Sequence, residues 1–385
     1  MDNSKPFISV LIPSLNSQDY IRQCVESVCR QSLRKIEIIC IDAGSSDKTL
    51  DFLNGLAKED SRIRILNSDK KSYGYQMNLG LDNALGRYIS IVESDDYIEE
   101  NMLKDLYDLA LEYDCDIAKA TFYHVFEDSK KVNNAKRSIK TKKPFKLIDQ
   151  PKFLNSHPSI WAGIYNAGFL KENNIRFLEA DGAGWVDNPF FYQTAFAAKS
   201  IVYRHVPYYY YRESNPNSSS NNLEDYAIPV RRMMDNLDIV EKYGCSDEEI
   251  LKQVYIRAFA YINNIFQKEG HENHMDELRP LIREMLLRLD ENIILKHLKQ
   301  KWIDMYYQYV SPIRLIDSNK PEIIISKKDF DLMVKENTHL YSQIDKYKSL
   351  LAEKDDEIKS YKQEMDLIKE SKAYKLIVNP FRKLK

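Results

Sequence analysis

From Phe7 onward, short apolar runs alternate with stretches in which apolar residues recur every three or four positions. Phe7 to Ile12, Ile36 to Ile41, Arg62 to Leu66, Arg87 to Val92 and Cys115 to Thr121 read as buried strands. Between the first two, Tyr20, Ile21, Cys24, Val25 and Val28 share one helical face, with Ser17 placed to cap it. Further helices are predicted near Lys48 to Leu56, Gln76 to Leu85 and Asn101 to Tyr113. This strand–helix succession predicts an α/β fold with a mostly parallel sheet flanked by helices. Ligands of such sheets bind beyond the carboxyl ends of the strands, so the residues after the second and fourth strands come first.

The pattern then loosens. Glu127 to Lys146 is polar and rich in Lys and Asn and reads as a connecting loop. Apolar and aromatic segments return at Trp161 to Leu170, Pro189 to Ala198 and Ser200 to Tyr211, and a Ser/Asn tract at Asn215 to Asn222 closes a first domain, 1–222. A helical region, 223–325, follows. In 326–370, Phe330, Met333, Asn337, Leu340, Ile344, Tyr347 and their successors to Ile368 are spaced by threes and fours, the seam of a coiled coil. Such a seam predicts a homo-oligomer; one long helix packed on its own chain is the alternative. The last stretch, 371–385, interleaves Lys372, Lys375, Arg382, Lys383 and Lys385 with apolar residues and has no acid. It reads either as a segment that lies on an anionic membrane surface or as a solvated tail.

Composition narrows the function classes. Across 385 residues, 56 Lys plus Arg stand against 58 Asp plus Glu, so the basic excess of a nucleic-acid binder is absent and no nucleic-acid partner is expected. Five cysteines without a C-x-x-C suggest neither a disulfide framework nor a zinc knuckle. No signal-peptide core follows Met1 to Lys5 and no run of 18 apolar residues occurs, so a cytoplasmic protein is expected, with its tail placed to meet the inner face of the membrane. Few glycines and many Lys, Asn and Tyr fit a bacterial source.

Familiar sites are absent. Gly44-Ser45-Ser46-Asp47-Lys48-Thr49 ends like a phosphate-binding loop but has Asp42 and Asp47 where that loop needs glycine. His271-Glu272-Asn273-His274 is one residue short of a zinc-protease helix and reads as surface loop. What remains is carboxylates at strand ends. Asp42 either accepts a hydrogen bond from a base edge or caps the next helix. In Glu93-Ser94-Asp95-Asp96, read as extended chain, Glu93 and Asp95 would face one hard cation together.

Four motifs in order, Ile8-Ser9-Val10-Leu11-Ile12-Pro13 with Asn16, Ile38 to Asp47, Asn78-x-Gly80 and Glu93-Ser94-Asp95-Asp96, resemble the nucleotide-sugar half of family-two glycosyltransferases with the GT-A fold. The resemblance spans about residues 7 to 220. It implies that Pro13, Asn16, Asp42, Gly44, Ser45, Asn78, Glu93, Ser94 and Asp95 surround a nucleotide-sugar donor, with Asp42 on uracil and Asp95 on a Mn or Mg ion. Ser159 to Tyr165 and Trp185 to Phe190 resemble the acceptor half, where Asp187 matches the general base and Asp181 is its nearest rival. Tyr210-Tyr211-Arg212 with Ser218-Ser219-Ser220 resembles the closing segment. Ala43 and Glu93 replace two aspartates usual in the family.

The resemblance implies an inverting, metal-dependent transfer from a UDP-sugar to a hydroxyl of a glycan or lipid-linked acceptor, in capsule or other polysaccharide synthesis. The other reading is a non-catalytic scaffold with a degenerate transferase domain, which Ala43 and Glu93 favour. A sugar nucleotidyltransferase would need a Gly-rich amino-terminal loop, and Phe7 to Gln18 has no glycine.

Overall fold

The structure, a computed structural model, describes residues 5–310 except 134–138, 142, 183 and 216–224. The expected coiled coil and basic tail lie outside the described residues, as does most of the Ser/Asn tract. The chain divides into two compact units, Met1–Leu298 and Lys299–Lys385. The first therefore joins the helices after 223 to the sheet that precedes them.

The first unit opens with β1 (Ile8–Ser14), α1 (Ile21–Cys29), β2 (Ile36–Asp42), α2 (Thr49–Glu59), β3 (Ile63–Asn67), α3 (Tyr73–Asn83) and β4 (Tyr88–Ile91). After these come β5 (Tyr97–Ile98), α4 (Met102–Tyr113), β6 (Ile117–Val125) and β7 (Lys130–Val132). The acceptor-like segment forms β8 (Gly163–Asn166), α5 (Ala167–Glu172), α6 (Asp187–Ala197) and β9 (Ile201–Arg212). Helices α7 (Ile228–Lys242), α8 (Glu248–Phe266), α9 (Met275–Leu287) and α10 (Glu291–His297) complete the unit. Of the second unit, α11 (Gln300–Val310) is described.

β1 pairs in parallel with β2 on one side and β4 on the other, and all seven of its residues are buried. That explains its continuous apolar run, which a strand covered on both faces requires. The sheet as a whole is not mostly parallel. Its order is β3-β2-β1-β4-β8-β6-β9-β5, with β7 on β6. β4–β8, β8–β6, β6–β7 and β9–β5 are antiparallel. β6 does run in the direction of β4, as the helical crossover demands, but β8 enters later in the chain and fills the gap between them.

Three local expectations also change. β7 lies in the stretch read as loop; it pairs only with β6 and is largely exposed, so it needs no apolar pattern. Ser17 serves α1 through its backbone carbonyl, which accepts from Tyr20 and Ile21, while its hydroxyl meets that of Ser94 at 2.8 Å. His271 to His274 forms a 3-10 turn rather than irregular loop. The five cysteines are free, with Cys24, Cys40 and Cys115 buried.

α8 lies along the 3-10 turn Pro151–Asn155. Gln253 and Asn155 share a side-chain hydrogen bond, and both terminal nitrogens of Arg257 donate to the Ser156 carbonyl at 3.2 and 3.0 Å. No described helix is long and apolar enough to cross a membrane.

Candidate active site

β1 and β2 run in register to Ser14 opposite Asp42, so the loops that leave them lie side by side. The buried Asp42 carboxylate accepts from the Gly44 and Ser45 amides at 3.0 and 2.9 Å and from the Ser45 hydroxyl at 2.5 Å. Gly44 has φ +78°, a left-handed conformation that glycine adopts without steric cost. Asn16 reaches across: its amide donates to Ser45 Oγ at 2.9 Å and its side-chain oxygen accepts from the Ser46 amide at 2.8 Å. Asp42 thus closes its own loop, and the helix start is served by Asp47, which accepts from the Thr49 amide. Pro13 is buried in β1 opposite Ile41.

Asn78 has partners within the protein. It is buried in α3; its side-chain nitrogen donates to the Phe177 carbonyl at 3.0 Å and to Glu179 at 3.1 Å, and its oxygen accepts from the Phe177 amide at 2.9 Å. Its amide therefore holds the 177–179 segment against α3. Gly74 shows how close that approach is, since a Cβ there would stand 1.9 Å from the Leu178 carbonyl oxygen.

After β4 the chain turns rather than continuing extended: the Asp96 amide donates to the Glu93 carbonyl at 3.0 Å. Glu93 and Asp95 nonetheless line one cavity, because the turn brings both side chains to it. Glu93 accepts from the Tyr73 hydroxyl at 2.7 Å, and Asp95 Oδ2 accepts from the Asn215 side chain at 2.8 Å. Burial, with the Asp95 and Asp187 charges adding, pushes Glu93 up to about 8 against that tyrosine bond. Ser94 is turned away, toward Ser17. The turn is clamped from β9: buried Asp96 accepts from the Tyr209 hydroxyl at 2.8 Å and the Arg212 amide at 2.7 Å, and Arg212 Nε donates to the Asp95 carbonyl at 2.7 Å.

The cavity encloses about 730 Å³. Its lining includes Tyr73, Glu93 and Asp95 together with Trp161, Trp185, Asp187, Arg257 and Tyr261. Trp161 stacks on Tyr209 and Tyr211 with centroids 4.1 and 5.2 Å apart. The turn beneath it is held by Lys119, wholly inside the core, whose Nζ donates to the Pro158 and Ser159 carbonyls at 3.1 and 2.7 Å; burial pulls this lysine down to about 7.

Asp187 is the first residue of α6, with Pro189 just behind it. A helix start alone would favour its carboxylate form. Desolvation wins instead and lifts it to about 6, against the Arg257 charge and the bonds from Asn188, whose side chain donates to Asp187 Oδ1 at 3.0 Å. Asp181 is exposed and does not line the cavity.

Glu93, Asp95 and Asp187 are thus brought together, whereas Pro13, Asn16, Asp42, Gly44, Ser45 and Asn78 are not among the residues that line this cavity. No group of three His, Cys, Asp or Glu among the described residues is arranged to hold an ion. The oxygen donors of Asp95 and Glu93 suit a hard cation that takes its remaining ligands from a diphosphate and water. Sequence reasoning passed over Tyr73, Asp96, Arg257 and Tyr261. For the last two a signal existed: an arginine and a tyrosine four apart on the buried face of a helix. A second hollow of about 630 Å³, lined by α7, α8 and α10, contains no strand end.

Residues 9–166 match the profile described as Glycosyl transferase family 2. The matched segment runs through β1 to β8. Glycosyltransferase GlyG of Streptococcus pneumoniae is 37% identical over 121 residues, 31% of this chain and 40% of that protein. The uncharacterized glycosyltransferase EpsJ of Bacillus subtilis is 28% identical over 243 residues, 60% of this chain and 66% of that protein. The chain therefore spans less than two thirds of either relative. The solved structure of S. aureus TarS 1–349 in complex with UDP-GlcNAc shares the fold, with a TM-score of 0.63 at 20% identity over 75% of this chain and 83% of that one.

Proposed function

We propose that the protein is an inverting glycosyltransferase that moves a sugar from a UDP-sugar to a hydroxyl of a glycan or lipid-linked acceptor in bacterial polysaccharide synthesis. The observation that carries the reading is one cavity lined by Asp95 and Asp187 together, one carboxylate after β4 and the other at the start of α6. Inversion needs a base on the face of the anomeric carbon opposite the leaving diphosphate. Asp187 takes the proton of the acceptor hydroxyl, the freed oxygen bonds to the anomeric carbon, and the carbon–oxygen bond to the diphosphate breaks. Lifted to about 6, Asp187 is still mostly ionised at neutral pH yet basic enough to accept that proton.

Asp95 is the residue to hold Mn or Mg, and such an ion, when bound, neutralises charge on the departing diphosphate. Asp42 and Asn16 keep the donor loops in shape, and the uracil edge is read beside them. The coiled-coil seam makes the chain a homo-oligomer, and its basic tail brings it to the anionic inner face of the membrane.

A thermal-shift panel of nucleotide sugars with and without Mn tests the donor, since a ligand that binds only the folded state raises the melting temperature. A Mn-dependent rise with UDP-sugars, followed by UDP release, is expected. A protein that shows neither is a scaffold.

A further inference from the structure

The cavity has a wall that the segment matched by the family-2 profile does not supply. That segment ends at residue 166, whereas Ile256, Arg257, Ala260, Tyr261 and Asn264 of α8 face the same space as Asp187. One of these side chains, Tyr261, is hydrogen-bonded to the start of α6, and Arg257 packs beside it. The Tyr261 hydroxyl donates to Asn188 Oδ1, and the Asn188 side-chain nitrogen donates in turn to Asp187 Oδ1 at 3.0 Å. The Tyr261 ring meets Trp185 edge-on at 5.7 Å, and Trp185 holds φ +55°, a conformation rare for a bulky residue and kept only where its surroundings enforce it. Arg257, buried, anchors to the Ser156 carbonyl and lies over the rings of Tyr261 and Phe191 at 5.5 and 5.9 Å. Its Nε has no hydrogen-bond partner among the described residues, which leaves part of its charge unanswered there.

We propose that Arg257 and Tyr261 are positioning residues for Asp187: α8 orients the carboxylate through Asn188 and fixes its charge state through a buried guanidinium, so the helices beyond the matched segment complete the catalytic end. The inference rests on the reading of Asp187 as the base. The groups around Asp187 are Glu93 from the turn after β4, Tyr73 of α3, Tyr165 of β8, Asn188 of α6, and Arg257 and Tyr261 of α8. Arg257 is the one cation among them, and it opposes the burial that raises Asp187.

Two measurements on the full chain test this. The first is steady-state UDP release from the nucleotide sugar that the thermal-shift panel selects. Tyr261→Phe, which keeps the ring, is expected to lower kcat roughly tenfold or more with donor KM unchanged, because a misoriented base costs the transition state and not the ground state. The same change in an Asp187→Asn background is expected to add nothing further.

The second is the melting-temperature difference between the wild-type chain and Asp187→Asn as a function of pH, which reads the protonation of Asp187 whatever group is the base. With Arg257 present the difference changes between about pH 4, where an unfolded Asp titrates, and about 6. In Arg257→Gln the upper end of that window is expected to move up, and in Arg257→Lys, which keeps the charge, to stay near the wild-type position. An unmoved window in Arg257→Gln overturns the charge coupling, and an equal Tyr261→Phe effect in both backgrounds overturns the orientation role. Full turnover in Asp187→Asn with a shifted window overturns the base reading and leaves the electrostatic contact in place.

Discussion

Around Asp42, both carboxylate oxygens are engaged by donors from the next three residues, and Asn16 ties the neighbouring loop to the same knot. Around Asp187 the direct hydrogen bond comes from the neighbouring Asn188, but Asn188 is itself held by Tyr261 of α8 and the nearby charge is that of Arg257, and burial lifts the carboxylate in spite of them. The first arrangement suits a surface that holds its shape before a ligand arrives. The second suits a group that must exchange a proton, because a carboxylate saturated with donors loses basicity. The contrast assigns rigidity to one end of the strand edge and chemistry to the other.

The sharpest way to break the contrast is Asp187→Asn. It is expected to lower turnover by about a hundredfold or more with UDP-sugar affinity nearly unchanged, measured by steady-state kinetics beside calorimetry. If turnover survives, Asp187 only caps α6, and Asp181 becomes the residue to change.

Asp95→Ala comes next and should remove the Mn-dependent part of UDP binding while the melting temperature of the free protein hardly moves. An unchanged Mn-linked affinity by calorimetry would reject Asp95 as the ion's ligand.

Asn78→Ala separates a structural role for this residue from the donor contact that the resemblance implies. Loss of buried amide bonds to Phe177 and Glu179 is expected to cost about 1–3 kcal/mol in urea unfolding. Donor affinity of the folded fraction should be preserved.

A pH-dependent effect tests burial beside Asp187. Glu93 is raised to about 8 in the fold against about 4 when unfolded, so its stabilising contribution is complete at acid pH and is lost as pH rises toward 8. Glu93→Gln should therefore raise the melting temperature relative to wild type at pH 8, and the gain should fade by pH 5. A gain independent of pH would show that Glu93 is not desolvated.

The same contrast explains what was legible beforehand. β1 to β4 and their helices could be read because each carries its own period, whereas the bonds by which Asp42 closes its own loop were not foreseen, Asp47 serving the helix start instead. Asp95 and Asp187 were found through motif likeness, but their shared cavity depends on the turn at Glu93 and on β9, which no local pattern encodes. The antiparallel entry of β8 was missed for a related reason: a four-residue strand with three buried residues does not reveal which neighbours it will pair with. Arg257 and Tyr261 sat in a region read as carrying little chemistry, since helical periodicity reports which face is buried but not what it faces.

That late strand also bears on how the chain is made. β4 waits for Gly163–Asn166, more than seventy positions downstream, before its second edge is covered. Until then a growing polypeptide presents Tyr88–Ile91 as an open, apolar edge, the kind of template that recruits foreign strands. A nascent chain halted near residue 160 should aggregate, while one released after residue 298 should not. Synthesis through β8 therefore covers the exposed edge of β4, and synthesis through β9 covers that of β6.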